Sequence, residues 1–202
     1  KKMAGVLNNI GNVYYFLSRF ESEPYYLQAL EIYKKLKDKE GLAKQYGNLG
    51  LIYIYKKDTA KAIEYSLKSL EYNLELKDNT GVATSYVNLG YAYELAGYYT
   101  LALENVKRSL ELREKSGDKK GVATSTMILG EIHSKMKDYN NAIVLLEKGL
   151  ALAKEIDLNI FTLIDMETLS RAYYATGRFD DAQKLDKQIE TMIDSTDEKK
   201  FS

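Results

Sequence analysis

The chain has 202 residues, 45% of them hydrophobic and 29% charged, which is the composition of an ordinary globular protein. Its 29 basic residues equal its 29 acidic residues, and this balance argues against nucleic acid as a partner because phosphate contacts normally require a basic excess. No apolar run approaches the roughly 20 residues of a membrane span, so membrane insertion is not expected. Cysteine is absent, which excludes thiol chemistry but leaves the cellular compartment open.

The letters GVATS occur at residue 81 and return at residue 121, and a fixed spacing of forty indicates a repeated structural unit. Successive blocks align as GLAKQYGNLGLIY, GVATSYVNLGYAY and GVATSTMILGEIH, with more divergent blocks before and after them. The repeat predicts one continuous array of five units, followed by a short tail. The units are predicted at 1–38, 39–78, 79–118, 119–157 and 158–195, and the tail at 196–202.

Each unit contains two helical patterns. In the first helix of unit two, Tyr46, Leu49, Gly50 and Tyr53 recur at i, i+3, i+4 and i+7, which is one face of an α-helix. A short breaker follows, and then a second helix with an alanine near its start. A central glycine costs about 1 kcal/mol relative to alanine, so its presence predicts that a facing helix approaches closely.

Two boundary signals complete the predicted helix pairs. Asp38, Asp78 and Asp118 lie between units and are predicted N-caps, because an aspartate side chain accepts a free backbone N–H at a helix start. Pro24 is tolerated only in a first helical turn, so the second helix of unit one is predicted to begin near Glu21. Such pairs cannot bury both faces alone and must stack on their neighbours.

This pattern resembles the tetratricopeptide repeat (TPR). Eight residues of unit three match the family's pattern in order, namely Tyr86, Leu89, Gly90, Tyr93, Gly97, Tyr99, Ala102 and Leu110. The resemblance covers about residues 3 to 193 and implies an all-α fold, an α-solenoid of five antiparallel helix pairs in a right-handed superhelix. The units exceed the usual length of about 34 residues, as in the repeats of kinesin light chains, of spindle-orientation scaffolds and of bacterial signalling proteins.

The sequence offers little material for catalysis. His133, the single histidine, takes the place of Tyr53 or Tyr93 in other units and is interpreted as a packed core residue. One histidine without cysteine argues against a zinc site, and the glycines lie inside helical patterns rather than in phosphate-binding loops. We therefore predict a protein that is not an enzyme and that has no catalytic residues, metal site or cofactor.

The TPR resemblance implies a concave face lined by the first helices, and the family register implies which side chains point into it. These are Asn9, Asn12, Tyr15, Phe16, Lys44, Asn48, Leu51, Tyr55, Asn88, Tyr91, Glu94, Glu131, Lys135 and Arg171. Three asparagines, Asn9, Asn48 and Asn88, recur one unit apart, and an amide that both donates and accepts suits the backbone of an extended peptide. Packing between helices is the alternative interpretation of these asparagines.

The predicted function is a non-enzymatic scaffold that binds a peptide or helix of a partner protein in this groove. Two alternatives stay open: a regulatory or sensor segment of a larger bacterial-type signalling protein, and a scaffold that forms homo-oligomers through its end helices. Residues 1–4 resemble the junction at 39–43, so further repeats are expected before Lys1.

Overall fold

The computed structural model describes residues 1–158 and 162–198. Within these two ranges the chain is helical and contains no strand. A 3-10 turn at Arg19–Ser22 precedes the second of the α-helices. These are α1 (Lys2–Leu17), α2 (Glu23–Leu36), α3 (Lys39–Tyr55), α4 (Thr59–Leu76), α5 (Asn79–Leu95), α6 (Tyr99–Ser116), α7 (Lys119–Lys135), α8 (Tyr139–Glu155), α9 (Thr162–Ala175) and α10 (Phe179–Glu198).

The predicted all-α fold of antiparallel helix pairs is confirmed. The chain divides into two compact bodies, an N-terminal body (Lys1–Leu112) and a C-terminal body (Arg113–Ser202), with the division inside α6. The prediction that all units form one continuous array stays a prediction. Among the described residues, no helix combines the length and the apolarity that crossing a bilayer requires.

The predicted aspartate caps are present at the starts of three first helices. The Oδ1 atoms of Asp38, Asp78 and Asp118 accept the backbone N–H three residues later, at 3.1, 3.1 and 2.9 Å. Asp58 and Asp138 cap the second helices α4 and α8 in the same way. The same side chain chemistry therefore begins both helices of a unit.

The second helix of unit one begins slightly later than the sequence predicted. The 3-10 turn occupies Arg19–Ser22, and α2 starts at Glu23 with Pro24 in its first turn. Proline lacks the backbone N–H that a helix interior requires but that a first turn leaves unused. The proline was therefore placed correctly, and the extra turn displaces the helix start from Glu21.

The Leu-Gly pair lies where the two helices of a unit approach most closely. Leu49 and Leu89 are fully buried in the N-terminal body. A Cβ atom added at Gly50 would lie 2.7 Å from the hydroxyl of Ser66 on α4. A Cβ atom at Gly90 would overlap the Cγ2 of Val106 on α6. The glycine thus brings the second helix against the first, and the opposite side of the first helix is left for other contacts.

Replacing Gly90 by valine is expected to lower the free energy of unfolding by about 2 kcal/mol, because overpacking a filled core typically costs about 1–3 kcal/mol. Urea unfolding followed by circular dichroism measures the change. Gly5→Val is the matched control, since nothing lies within 4 Å of a Cβ atom at Gly5 on α1. Equal losses in both variants would contradict close approach as the reason for the glycine, because valine has a higher helix propensity than glycine and should not by itself destabilise α1.

Candidate binding site

The predicted groove residues fall into two groups that belong to different bodies. Those from Asn9 to Glu94 lie on α1, α3 and α5 of the N-terminal body. Glu131 and Lys135 on α7, with Arg171 on α9, lie in the C-terminal body. Each group forms its own set of contacts.

An aromatic cluster of Tyr15, Phe16 and Tyr55 joins α1 to α3. The ring centroids of Tyr15 and Phe16 lie 5.7 Å apart in an edge-to-face arrangement, and those of Tyr15 and Tyr55 lie 6.2 Å apart. The hydroxyl groups of the two tyrosines are 3.4 Å apart. Phe16 is 85% exposed. The structure thus brings three predicted residues together and leaves a large apolar ring in solvent.

The asparagines of α1 and α3 form a hydrogen-bonded network between units one and two. Oδ1 of Asn8 accepts from Nε2 of Gln45 at 2.9 Å and from Nδ2 of Asn48 at 3.3 Å. Nδ2 of Asn8 donates to Oδ1 of Asn9 at 3.2 Å. Asn8 and Gln45 are buried, and Gln45 was not among the predicted residues. In the sequence, both are polar side chains next to the apolar stripe of their helix.

The other predicted asparagines also contact the protein itself. Nδ2 of Asn88 on α5 donates to the backbone carbonyl of Gly47 on α3 at 3.3 Å, and Asn88 is only 7% exposed. Oδ1 of Asn12 accepts from the hydroxyl of Tyr26 on α2 at 3.0 Å. Asn48 and Asn88 therefore each donate to the preceding unit. These contacts support the packing interpretation of the two amide nitrogens.

The four remaining predicted residues of the N-terminal body lie on α3 and α5. Lys44 is exposed, and the remaining three are partly buried: Leu51, Tyr91 and Glu94. They add both polar and apolar side chains to the partly exposed surface of α3 and α5.

The three predicted residues of the C-terminal body line one cavity of about 340 Å³. Arg171 donates through Nη2 to the hydroxyl of Thr168 at 3.0 Å. Acidic, basic and hydroxyl-bearing side chains all line this cavity. Its lining consists of Glu131, Ser134, Lys135, Tyr139, Ile164, Thr168 and Arg171.

Asp165 on α9 carries a buried carboxyl group that contacts Glu131 on α7. Asp165 is 2% exposed and is hydrogen-bonded to Glu131, while its Oδ1 has no hydrogen-bond partner. Burial raises the pKa of Asp165 to about 6, and the hydrogen bond with Glu131 opposes that rise only in part. A hydrogen bond between two carboxyl groups requires a proton on one of them. Sequence reasoning missed this residue, although Gln45, Ser85 and Ser125 stand at its place in other units.

His133 contacts the cap of the following helix. Its Nδ1 lies 2.9 Å from Oδ2 of Asp138, which begins α8, and the histidine is partly buried. This position agrees with its interpretation as a packing residue. Within residues 1–158 and 162–198, no group of three or more histidine and carboxylate side chains is arranged to hold a metal ion.

Replacing Asp165 by asparagine is expected to stabilise the protein above pH 6 and to have little effect near pH 4. The folded state raises this pKa above its ordinary 3.8, so it favours the protonated form, and the folded protein loses stability as the pH rises from about 3.8 to about 6. The loss at neutral pH is up to about 3 kcal/mol. Urea unfolding near pH 4 and at neutral pH measures the free energies of unfolding of the parent protein and the variant.

Asp194→Asn on α10 is the matched control for this variant, because Asp194 is an exposed aspartate of the same body. Its free energy of unfolding is expected to follow the parent protein at each pH. A pH-independent effect of Asp165→Asn would contradict the assignment of a buried carboxyl group with a raised pKa.

The repeats match the family model of the tetratricopeptide repeat in four overlapping segments, residues 2–75, 42–115, 81–155 and 121–194. Comparison with curated proteins finds no match. Three solved structures of similar fold are the apo form of RapI, a putative kinesin light chain with nearly identical TPR-like repeats from Podosopora anserina, and the STAND protein PH0952 from Pyrococcus horikoshii, which has a tetratricopeptide repeat sensor.

RapI is 18% identical with a TM-score of 0.83, and the match covers 98% of this chain and 73% of RapI. The kinesin light chain is 18% identical with a TM-score of 0.74, covering 96% of this chain and 95% of that one. PH0952 is 23% identical with a TM-score of 0.80, covering 96% of this chain and 30% of that one. These likenesses show the fold, and the repeated family match shows that the chain belongs to the tetratricopeptide repeat family.

Proposed function

We propose that this chain binds a segment of a partner protein through the aromatic cluster of Tyr15, Phe16 and Tyr55 and the polar side chains beside it. The observation that carries the proposal is the exposure of Phe16, which is 85% exposed beside two tyrosine rings that contact each other. TPR proteins are protein-interaction scaffolds, and a solvent-exposed aromatic group costs free energy unless a partner covers it.

The cluster has the physical properties of a recognition site. Fully burying one large apolar side chain contributes about 1.5–3 kcal/mol, so covering Phe16 supplies a substantial part of a micromolar affinity. Tyr15 and Tyr55 present hydroxyl groups, and their mutual contact limits the side-chain entropy lost on binding. An apolar side chain of the partner, flanked by its backbone polar groups, matches this surface.

The asparagines beside the aromatic cluster differ in how they could contact an extended segment of a partner. Asn9 is exposed on α1, and Asn12 lies one turn further on, with its Oδ1 already bound to Tyr26. The amide nitrogens of Asn48 and Asn88 are already hydrogen-bonded within the protein. The proposed site therefore relies on Asn9 and the aromatic rings rather than on the asparagine repeat as a whole.

A second candidate function is that of a sensor segment within a larger signalling protein. The similarity to PH0952 favours it, because that protein carries a tetratricopeptide repeat sensor and this chain spans 30% of its length. In that case the same aromatic cluster would receive the signal. Sequencing the complete gene tests this alternative, because a sensor segment requires that an ATPase or kinase domain be encoded in the same chain.

Phe16→Ala combined with Tyr55→Ala is expected to weaken binding about 10- to 100-fold, because removing central aromatic contacts typically costs at least 2 kcal/mol. Ligands are first selected from a random peptide library displayed against the immobilised protein. Fluorescence anisotropy with the selected peptides then gives the dissociation constants.

The control is Val144→Ala, because Val144 on α8 is 63% exposed and lies in the other body. All variants are compared by thermal melting to show that they fold. Selected peptides that bind the Phe16/Tyr55 variant as tightly as the parent protein would exclude the cluster as the site.

A further inference from the structure

Stacked tyrosine rings join the two helices of unit two. Tyr46 on α3 packs against both Tyr65 and Tyr72 of α4, with ring centroids 5.8 Å apart in each pair and interplanar angles of 27° and 10°. Nζ of Lys68 lies over the ring of Tyr46, 5.5 Å from its centroid. A cation is attracted to the negative face of an aromatic ring, so this stack combines ring contacts with a cation contact.

Unit three keeps the central tyrosine and a cation of this stack but has neither of the outer rings. Cζ of Arg108 lies 5.8 Å from the ring centroid of Tyr86. Asn105 turns onto its own helix, where its Nδ2 donates to the backbone carbonyl of Leu101 at 2.8 Å. In the described part of the chain no aromatic ring packs against Tyr86. The replacements at a spacing of forty are Tyr86 for Tyr46, Asn105 for Tyr65, Arg108 for Lys68 and Leu112 for Tyr72.

A cavity of about 580 Å³, which we call the Tyr86 cavity, lies between α4, α5 and α6 of the N-terminal body. Leu112 lines it at the position where unit two has the ring of Tyr72. Val82, which is 5% exposed, and Leu74, which is 54% exposed, add apolar surface to the lining. The cavity therefore stands at the place that a stacked ring fills in the preceding unit.

The Tyr86 cavity belongs to the second and third units, each of which has a further unit before it and after it in the chain. In unit two the equivalent place is closed by Tyr72, a residue of that unit, and not by an adjacent unit. The cavity in unit three is therefore open because of the residues of unit three itself.

The charges around the Tyr86 cavity complement an aromatic ring. The guanidinium of Arg108 is held beside the cavity by Glu104, whose Oε1 accepts from its Nη2 at 2.6 Å. An aliphatic side chain would gain apolar contacts only, whereas a ring would also stack on Tyr86 and present its negative face to this cation. Lys77 and Glu111, both exposed, line the cavity and offer a donor and an acceptor to the backbone of a bound segment.

We propose that the Tyr86 cavity binds an aromatic side chain of a partner protein, which stacks on Tyr86 beside Arg108 in the place that Tyr72 occupies in unit two. The aromatic cluster of α1 and α3 contributes no residue to this site, so the two binding proposals can fail independently. A single ring makes few contacts, so a free aromatic amide binds in the millimolar range. A longer partner segment gains affinity from its other contacts.

Methyl NMR of the complete chain tests the site with N-acetyl-tyrosinamide as the probe, because a bound ring shifts the resonances of nearby methyl groups. The methyl groups of Leu74, Val82 and Leu112 are expected to shift in a saturable manner, while those of Val144 on α8, which is 63% exposed, do not. N-acetyl-leucinamide is the matched probe without a ring and is expected to cause no saturable shift. No saturable shift at the three cavity residues, or equal saturation by both probes, overturns the proposal.

Leu112→Tyr is expected to weaken binding of N-acetyl-tyrosinamide about 10-fold or more, because the new ring fills the cavity as Tyr72 does in unit two. Leu152→Tyr on α8 is the matched control and is expected to bind like the parent protein. It adds the same ring at the equivalent position of the next unit, where Thr126 stands at the place of Tyr86.

Circular dichroism verifies that both variants fold. If Leu112→Tyr does not fold, Tyr86→Leu gives the same comparison, because it removes the ring and keeps an apolar side chain. Undiminished affinity in the folded variant contradicts the proposed position of the bound ring.

Discussion

The close approach of the two helices in units one to four, permitted by glycine, is the constraint on which the rest of the structure depends. At Gly50 and Gly90 the second helix lies so near that a single added carbon meets Ser66 or Val106. With one side of each first helix occupied in this way, its remaining sides either contact neighbouring units or face solvent. The proposed binding site therefore lies on the solvent side, where Phe16 and Tyr55 are exposed.

Hydrogen bonding between units competes with recognition for the same polar side chains. The amide nitrogens of Asn48 and Asn88 donate to the preceding unit, and Asn8 and Gln45 are buried in the same network. A buried amide without partners would cost more than the hydrogen bond contributes. These asparagines connect the first helices of neighbouring units, and the aromatic cluster is the more accessible part of the proposed binding site.

The two bodies have different polar groups between their first helices. In the N-terminal body, uncharged amides fill the space between first helices, whereas in the C-terminal body two carboxyl groups, Asp165 and Glu131, share it. Burial in that position favours the protonated form of a carboxyl group and raises the pKa of Asp165 to about 6. The stability of the C-terminal body is thereby linked to pH in a range where the amide network does not titrate.

The sequence by itself determined the repeat period, the helix pairs and the aspartate caps, because these depend on spacing and on contacts within a few residues. It also identified Tyr15, Phe16 and Tyr55 as candidates. The tertiary structure alone decided that the asparagine amides bind the preceding unit and that Asp165 is buried. Helical register states which side of a helix a residue occupies. The group that lies opposite depends on how neighbouring helices pack, and a pKa or a hydrogen bond depends on that group.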